Sequence, residues 1–369
     1  MKQLRGFKYR IYPTSAQRLT LAQTFGCSRF VYNWALNLKS VSYKEKGESI
    51  SYNQTSKLLT QLKKEELTKW LKDVSSVPLQ QSLKALDAAF KRFFKQQGKY
   101  PRFKKKSNKQ SCTYQPNAYS WNDGQLILAK MKQPLKIKWS RRFSGTPKQV
   151  TVSKDSSGRY FVSFLVEEEL EQWSKNDSSI GIDLGVKDVI VTSKGFASGN
   201  PRHFAKYQAK LKRLQRRLKN KQKGSNRWIK QVRKIALCHA LIADTRKDFL
   251  HKLTTKLVQE NQLISVETLN VKGLMANHKL AKHIADCGWG ELTRQLEYKC
   301  QWHGRKLVKI DRWFPSSKTC NECGYVIDKL PLEIREWTCP SCNSVHSRDI
   351  NAAKNILEVG ATLIARGVS

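Results

Sequence analysis

Ser179-Ile180-Gly181-Ile182-Asp183-Leu184-Gly185, running on into Val189-Ile190-Val191, alternates β-branched with small residues. That pattern predicts a strand buried on at least one face. Alternation puts Ile180, Ile182 and Leu184 on one side, and Gly181, Asp183 and Gly185 on the other. Asp183 is then a carboxylate inside an apolar strand, which is costly unless it is paired or holds a metal. Flanking glycines suggest that something bulky approaches the backbone there. An ion pair or a turn-capping Asp accounts for this stretch as well as a nuclease metal ligand does. The rest of the chain has to decide.

The composition narrows the field. The chain has 369 residues, room for two or three modules. Lys and Arg number 69 against 29 Asp and Glu, a net charge of +40, which calls for a polyanionic partner such as nucleic acid. Ten Trp, twelve Tyr and fourteen Phe argue for a folded basic protein, not a disordered basic tail. No stretch has a signal peptide's apolar core, and no apolar run approaches membrane-spanning length. The sequence therefore predicts a soluble, cytoplasmic protein with no membrane partner. Cys27, Cys112, Cys238, Cys287 and Cys300 are scattered as buried thiols are in a reducing compartment.

Residues 2–12 read as a strand, ended by Pro13, and Thr14 with Gln17 has capping-box spacing that opens a helix. A weaker helix is expected over 56–70, and another follows Pro78, with Leu79, Leu83, Leu86, Phe90 and Phe93 at helical spacing. Lys99-Tyr100-Pro101-Arg102-Phe103-Lys104-Lys105-Lys106 interleaves cations with aromatic rings. A solvated charge run is the plain alternative, but stacking surfaces beside cations favour nucleic-acid contact. Short alternating runs over 111–169, separated by turns such as Asn122-Asp123-Gly124, predict a small antiparallel barrel or sandwich. The strand at 2–12 could complete it, making the intervening helices an insertion. Residues 174–178 form a polar linker.

No acid occurs in 202–234, where Arg213, Arg216 and Arg217 are among fourteen cations around a thin stripe of Leu211, Leu214 and Leu218. Such a helix should lie along phosphates. A second helix is expected over 235–260; His251 on it is more simply a hydrogen-bonded residue than a proton-transfer group. Leu263-Ile264-Ser265-Val266-Glu267 is a short strand ending in an acid. Lys306-Leu307-Val308-Lys309-Ile310 is another after a helix near 292–303, so the whole implies a mixed α/β sheet.

Cys320 and Cys323, then fifteen residues, then Cys339 and Cys342 give zinc-ribbon spacing. Four thiolates fill a tetrahedral Zn2+ shell and leave no open position, so the role is structural. His346 is near enough to substitute. A helix follows, with Asp349 in its first turn, where the helix dipole favours an acid, and with Ala352 and Ala353 small enough for close packing on a sheet.

An acid in a first strand, an acid ending a later one and an acid opening the last helix make the layout of an RNase H-like nuclease. Here the sequence resembles the TnpB (OrfB) family, RNA-guided nucleases encoded by insertion sequences and related to type V CRISPR effectors. The resemblance is carried by Lys8-Tyr9-Arg10-Ile11-Tyr12-Pro13-Thr14 with Gln17, and by Arg29-Phe30-Val31-Tyr32-Asn33. Next come Leu86-Asp87-Ala88-Ala89-Phe90-Lys91-Arg92-Phe93-Phe94, Tyr100-Pro101-Arg102-Phe103-Lys104 and Gly181-Ile182-Asp183-Leu184-Gly185. Arg246 with Asp248, His251-Lys252, Val266-Glu267 with Leu269-Asn270, and Pro315-Ser316-Ser317-Lys318-Thr319-Cys320 follow in order. Arg348-Asp349-Ile350-Asn351-Ala352-Ala353 closes the set.

The resemblance implies an α+β multidomain fold. A wedge-type β-barrel would span 1–13 and 109–173, with a helical recognition bundle inserted over 14–108. An RNase H-like (RuvC) α/β nuclease would follow over 178–312 and 346–369, carrying a zinc ribbon over 313–345. By position, the family's catalytic acids fall on Asp183, Glu267 and Asp349, around two Mg2+ ions. Thr268 and Ser347 depart from the family's usual residues and could alter local charge. The partners implied are a guide RNA from the transposon end and double-stranded DNA cut next to a short flanking motif, with no small-molecule substrate. Arg10, Lys91, Arg92, Arg102, Lys104, Lys105, Arg213, Arg216 and Arg217 are the candidate nucleic-acid contacts. Two other functions remain to be weighed: a guide-directed repressor that has lost an acid, and a strand-transferring transposase.

Overall fold

In the first strand, Lys2–Ile11 (β1), Phe7, Tyr9 and Ile11 are buried while Lys8 and Arg10 take the opposite face. Alternation of that kind makes one side of a sheet a core surface. After Pro13, Thr14 and Gln17 close a reciprocal capping box, and Ser15–Lys46 (α1) runs on to Gly47, which takes φ +69°. The second helix is Tyr52–Leu62 (α2), earlier and shorter than the expected 56–70, because Ser51 and Gln54 form a second capping box. Glu66–Lys72 is a separate 3-10 turn. Ser76–Phe94 (α3) has Pro78 in its first turn, where a missing N–H does no harm. Val31, Ala35, Leu59, Leu79, Leu83 and Leu86 join these helices in one apolar cluster.

Strands follow at Gln110–Tyr114 (β2), Tyr119–Asn122 (β3), Gln125–Leu128 (β4), Ile137–Lys138 (β5), Pro147–Lys154 (β6) and Tyr160–Glu169 (β7). Their antiparallel sheet has the order β2-β6-β7-β1-β5, with β3 and β4 forming a separate hairpin. The anticipated barrel or sandwich is therefore corrected to an open sheet plus a hairpin. At one edge β5 has only two residues, too few to carry a ladder round to β2. The opening strand does join the later ones, as β1 pairs with β7 along its whole length.

The structure, a computed structural model, describes residues 2–331 and 333–367, and divides into Lys2–Glu169 and a second unit from Leu170 onward. Residues 1, 332, 368 and 369, which the expected domain limits include, lie outside the described residues. Among the described residues no helix is long and apolar enough to cross a membrane.

The second unit starts with Ser179–Asp183 (β8). The chain then reverses, and Val191–Thr192 (β9) pairs antiparallel with it, Asp183 opposite Val191. The expected single run through Val191 is thus a hairpin, its turn closed by a Gly185 N–H to Val189 O bond. Residues 202–234 likewise are not one helix. His203–Lys219 (α4) and Asn226–Glu260 (α5) are separated where Gly224 takes φ +87° and Ser225 caps the new helix by accepting from Trp228 N. Leu211 and Leu214 pack on Cys238 and Ile242, so two of the three leucines of the stripe bury against the following helix, while Leu218 is only half-buried. Then come Leu263–Glu267 (β10), Val271–Leu274 (α6), His278–Cys287 (α7), Trp289–His303 (α8), Lys306–Ile310 (β11), Glu336–Thr338 (β12), Val345–Ser347 (β13) and Arg348–Ala365 (α9).

The sheet of this unit is ordered β11-β10-β8-β9, with β10 parallel to both β8 and β11. Ile180, Ile182, Ile264 and Val266 bury one face under α5 and α8, with Leu250, Leu253, Leu257, Leu292 and Leu296. Each such aliphatic side chain contributes roughly 1.5–3 kcal/mol when fully buried. The opposite face, of Gly181 and Ser265, receives α9. A Cβ on Gly181 would lie 1.9 Å from the Ala353 carbonyl oxygen, and one on Gly360 would lie 1.9 Å from Ser265 Oγ. Helix and sheet therefore meet backbone to backbone at Gly181, and helix backbone to serine side chain at Gly360. Gly181→Ala should force α9 off the sheet and destabilise this unit by roughly 1–3 kcal/mol, a drop of several degrees in melting temperature by calorimetry. An unchanged melting temperature would contradict the close approach.

Candidate nuclease site and zinc ribbon

Asp183 ends β8 and Glu267 ends β10, its neighbour. The parallel register pairs Val266 with Ile182, which brings the two acids to the same level at the carboxyl ends of the strands. In open α/β sheets that is where ligands bind. Asp183 shares the face of Gly181, onto which α9 packs, and Asp349 lies in the first turn of that helix. Three acids distant in sequence are thus neighbours.

Their electrostatics follow from burial. Asp183 is pushed up to about 8, first by desolvation, then by the charges of Glu267 and Asp349, with Arg348 and Arg335 opposing. Glu267 is pushed up to about 7 by desolvation, although its Oε1 accepts a 2.8 Å bond from Leu184 N. Asp349 is more open. Both of its oxygens lie 3.2 Å from Arg335 Nη1, with side-chain exposures of 28% and 52% for the acid and the arginine. Among the described residues, the group of metal-type ligands whose atoms all fall within 4.8 Å is the cysteine set, not the three acids. The carboxylates are gathered but not drawn up into one cage.

Arg335 was not foreseen, because its location depends on hairpin register: Glu336 pairs with Ser347, and Arg348 N donates to Arg335 O. Asn351 and Asn355 also gained no role from sequence, though a pair of Asn four residues apart inside a helix calls for partners. Asn351 donates to Thr319 O and accepts from Asn321 N, while Asn355 donates to the Ser316 and Thr319 carbonyls. They fasten the cysteine segment to the helix bearing Asp349. Arg348 is buried and donates to Pro331 O.

The four cysteine Sγ atoms include the pairs Cys320–Cys342 and Cys323–Cys339, each 3.6 Å apart. A ZnS4 tetrahedron with Zn–S bonds of about 2.3 Å has edges of about 3.8 Å, so the set fits zinc. His346 has Nε2 3.0 Å from Cys320 Sγ, in hydrogen-bonding reach of a ligand rather than replacing one.

The candidate nucleic-acid contacts are mostly solvent-facing. Lys91, Arg92, Arg102, Lys104 and Lys105 are exposed, and Asn33 clamps the loop through both backbone groups of Lys104. Lys104 Nζ lies 3.9 Å from the Tyr32 ring centroid. Arg10 is half-buried, its guanidinium over the Tyr12 and Phe161 rings. Arg213, Arg216 and Arg217 are exposed together on α4.

With this geometry in view, comparison with known proteins gives a class first. A solved Cas12f1–sgRNA–target DNA complex is similar over 96% of this chain and 98% of that one, with a TM-score of 0.60 and 14% identity. The fold is thus Cas12-like α/β with mixed sheets. Family models described as "Probable transposase" and "Cas12f1-like, TNB domain" match residues 161–278 and 289–356. A third, "Helix-turn-helix domain", matches residues 1–48, a stretch that contains β1 and α1. A protein of Streptomyces pristinaespiralis described as "Putative RNA-guided DNA endonuclease" is 48% identical over 98% of this chain and 91% of its own length. One of Escherichia coli K12, described as "Putative RNA-guided DNA endonuclease InsQ", is 33% identical over 100% of this chain and 95% of its own length. The chain belongs to the TnpB (OrfB) family.

Two measurements bear on this site. Metal analysis should find one zinc per chain, and Cys339→Ser should lose it and expose the 313–345 segment to protease; zinc retained by that variant would exclude the four-thiolate site. In Mg2+-free buffer, the contribution of Asp183 to stability, read as the difference between wild type and Asp183→Asn, should fall as pH rises from about 6, where thiolates still hold zinc, to about 8. Unfolding frees Asp183 to ionise at its ordinary value, whereas the fold holds it protonated up to about 8, so the unfolded state binds fewer protons across that window. Asp183→Asn should flatten the melting temperature against pH relative to wild type; identical slopes would refute the burial effect.

Proposed function

We propose that this protein is an RNA-guided DNA endonuclease of a transposable element, cutting double-stranded DNA next to a short flanking motif. The observation that carries the reading is the meeting of Asp183, Glu267 and Asp349 at the carboxyl edge of the sheet. The similarity to relatives described as RNA-guided DNA endonucleases supports the same activity. All three acids being present favours a nuclease over a repressor that only binds.

The three carboxylates are hard oxygen donors, suited to Mg2+ as the thiolates are not. Two such ions, when bound, would supply an activated water and stabilise the leaving oxygen of the scissile phosphodiester. Asp183 and Glu267 would be the buried, fixed side of the site, and a cation offsets the cost of ionising them there. Asp349 would be the adjustable side: Arg335 pairs with it and, being half exposed, can turn toward solvent or a phosphate. Cys320, Cys323, Cys339 and Cys342 would hold a structural Zn2+ whose loss loosens the anchor of α9.

In finer terms, the open sheet with its hairpin would serve as the wedge-type domain (1–13 and 109–173), with 14–108 as the recognition insertion. Residues 178–312 and 346–369 would form the RuvC-type nuclease, with 313–345 as its ribbon. A guide RNA from the transposon end would pair with one DNA strand, so that base pairing reads sequence and the protein holds backbones. Arg10, Lys91, Arg92, Arg102, Lys104, Lys105, Arg213, Arg216 and Arg217 are the proposed phosphate contacts, and the protein would work in the cytoplasm, at the nucleoid.

The decisive variant is Asp183→Ala. It should retain its co-purified RNA and its DNA binding while cleavage becomes undetectable in a plasmid assay with guide RNA and Mg2+. Undiminished cutting would remove the catalytic assignment; joined products formed with element-end DNA and no RNA would make the protein a transposase.

A further inference from the structure

In the first unit, α1, the loop after it, α3 and Tyr100 enclose a cleft of ≈ 410 Å³ with an aromatic floor. That volume is within the range of small-ligand sites. Phe90 and Phe93 form the base, and Tyr100 stands edge-on to both, at 5.6 and 5.3 Å with interplanar angles of 87°. Tyr100 is fixed by a 2.8 Å hydrogen bond between its hydroxyl and Ser40 Oγ. The rings nearest solvent are open for aromatic groups: Phe94 is 74% exposed, Tyr43 67% and Tyr100 46%. Water contact at such rings forfeits hydrophobic stabilisation, and the helical core is already complete without them in Leu79, Leu83 and Leu86. Their exposure is explained by something that covers them.

The surrounding charge says what. Lys39 Nζ lies 5.6 Å from the Phe90 ring centroid, and burial lowers the lysine's pKa. Lys91 lines the opposite wall, and Arg92 and the basic loop that holds Arg102 follow close in sequence. Flat apolar faces rimmed by cations suit an unpaired nucleobase and its phosphate, since every base offers a π-face. One acid is out of keeping with a purely phosphate-binding wall: Asp87, 3.1 Å from Lys91 Nζ, also lines the cleft. A carboxylate repels phosphate but accepts a hydrogen bond from a ribose 2′-hydroxyl, the donor that RNA has and DNA lacks.

We infer that this cleft takes unpaired nucleotides of single-stranded RNA, stacked on Phe94 and Tyr100 with the ribose toward Asp87. The inference rests on RNA being a ligand of the chain, as proposed above, and is independent of the cleavage site. It adds a base-stacking site to the cationic backbone contacts already named.

Binding of short single-stranded RNA containing 4-thiouridine to the full-length protein, stripped of co-purified RNA, tests it. Irradiation followed by peptide mapping should give cross-links at Tyr43, Phe94 or Tyr100, and double-stranded RNA of the same sequence should give none. Phe94→Ala and Tyr100→Ala should each weaken single-stranded RNA about tenfold, while Phe94→Trp keeps or improves affinity. Phe94→Ala should melt with the wild type, because that ring is exposed. Asp87→Asn should narrow the preference for RNA over the matching DNA. RNA bound at wild-type affinity by Phe94→Ala and Tyr100→Ala, with cross-links only elsewhere, would overturn the cleft and leave the proposed function standing. A chain that binds no single-stranded RNA at all would overturn both. Equal cross-linking of RNA and DNA here, or self-association abolished by Phe94→Ala, would overturn the assignment to RNA.

Discussion

The close approach of the last helix to the central sheet is the constraint on which the second unit depends. At Gly181 the carbonyl of Ala353 occupies the space where a side chain would begin, and at Gly360 the Ser265 hydroxyl does the same from the sheet. Two glycines, one on each partner, let backbone meet backbone at Gly181 and a serine side chain seat against the helix backbone at Gly360. A helix held at two points has little freedom to slide or rotate on the sheet, which fixes its first turn as well as its middle. Asp349 lies in that first turn, about one turn ahead of Ala353. Its nearness to Asp183 therefore follows from packing, not from attraction between the acids, which repel.

The ribbon extends the same logic. Asn351 and Asn355 spend their side-chain amides on carbonyls of the Ser316–Thr319 turn, directly before Cys320. From the other end of the ribbon, Arg348 N bonds to Arg335 O, so the hairpin register sets Arg335 against Asp349. The cysteine knuckle is thus tied to α9 on both sides, and the four cysteines and the acids share one helix. A structural metal held by those cysteines would in this way bear on the position of an acid it does not touch.

Much of this was legible in the sequence, for identifiable reasons. The strand bearing Asp183 announced its faces through alternation, and Gly181 announced the close neighbour that proved to be Ala353. Ala352 and Ala353 suggested tight packing on a sheet, and both are buried. Cysteine spacing is a local signal, and it led to four sulfur atoms within reach of one ion. What failed was non-local or masked by composition. Charge continuity across 202–234 hid the break at Gly224 and Ser225, since a run of cations looks alike on a helix and in a turn. Capping boxes read well at Thr14 and were overlooked at Ser51, where a polar loop obscured them. Closure of the first sheet could not be read from alternation, which gives faces but not partners, and β5 proved too short to bridge its edges. Arg335 had no signal of its own, because only the pairing of two ribbon strands brings it to Asp349.

The charge distribution completes the physical picture. The 69 cations of the chain outnumber its 29 acids more than two to one, yet among the described residues Asp183 and Glu267 have no direct cationic partner, and desolvation pushes the pKa of each up. Arg335 and Arg348 lower Asp183 only against that larger effect. The one acid of the three with a guanidinium at contact distance is the more exposed Asp349, where the pair is cheap to open because water can replace either partner. Compensation is thus withheld where it would be permanent and supplied where it is reversible. Buried carboxylates kept free of arginine can still accept a small, hard cation, whereas a buried guanidinium pair would be strongly destabilising to break. The excess positive charge is instead spent on the surface, where it attracts a polyanion without filling the acidic site.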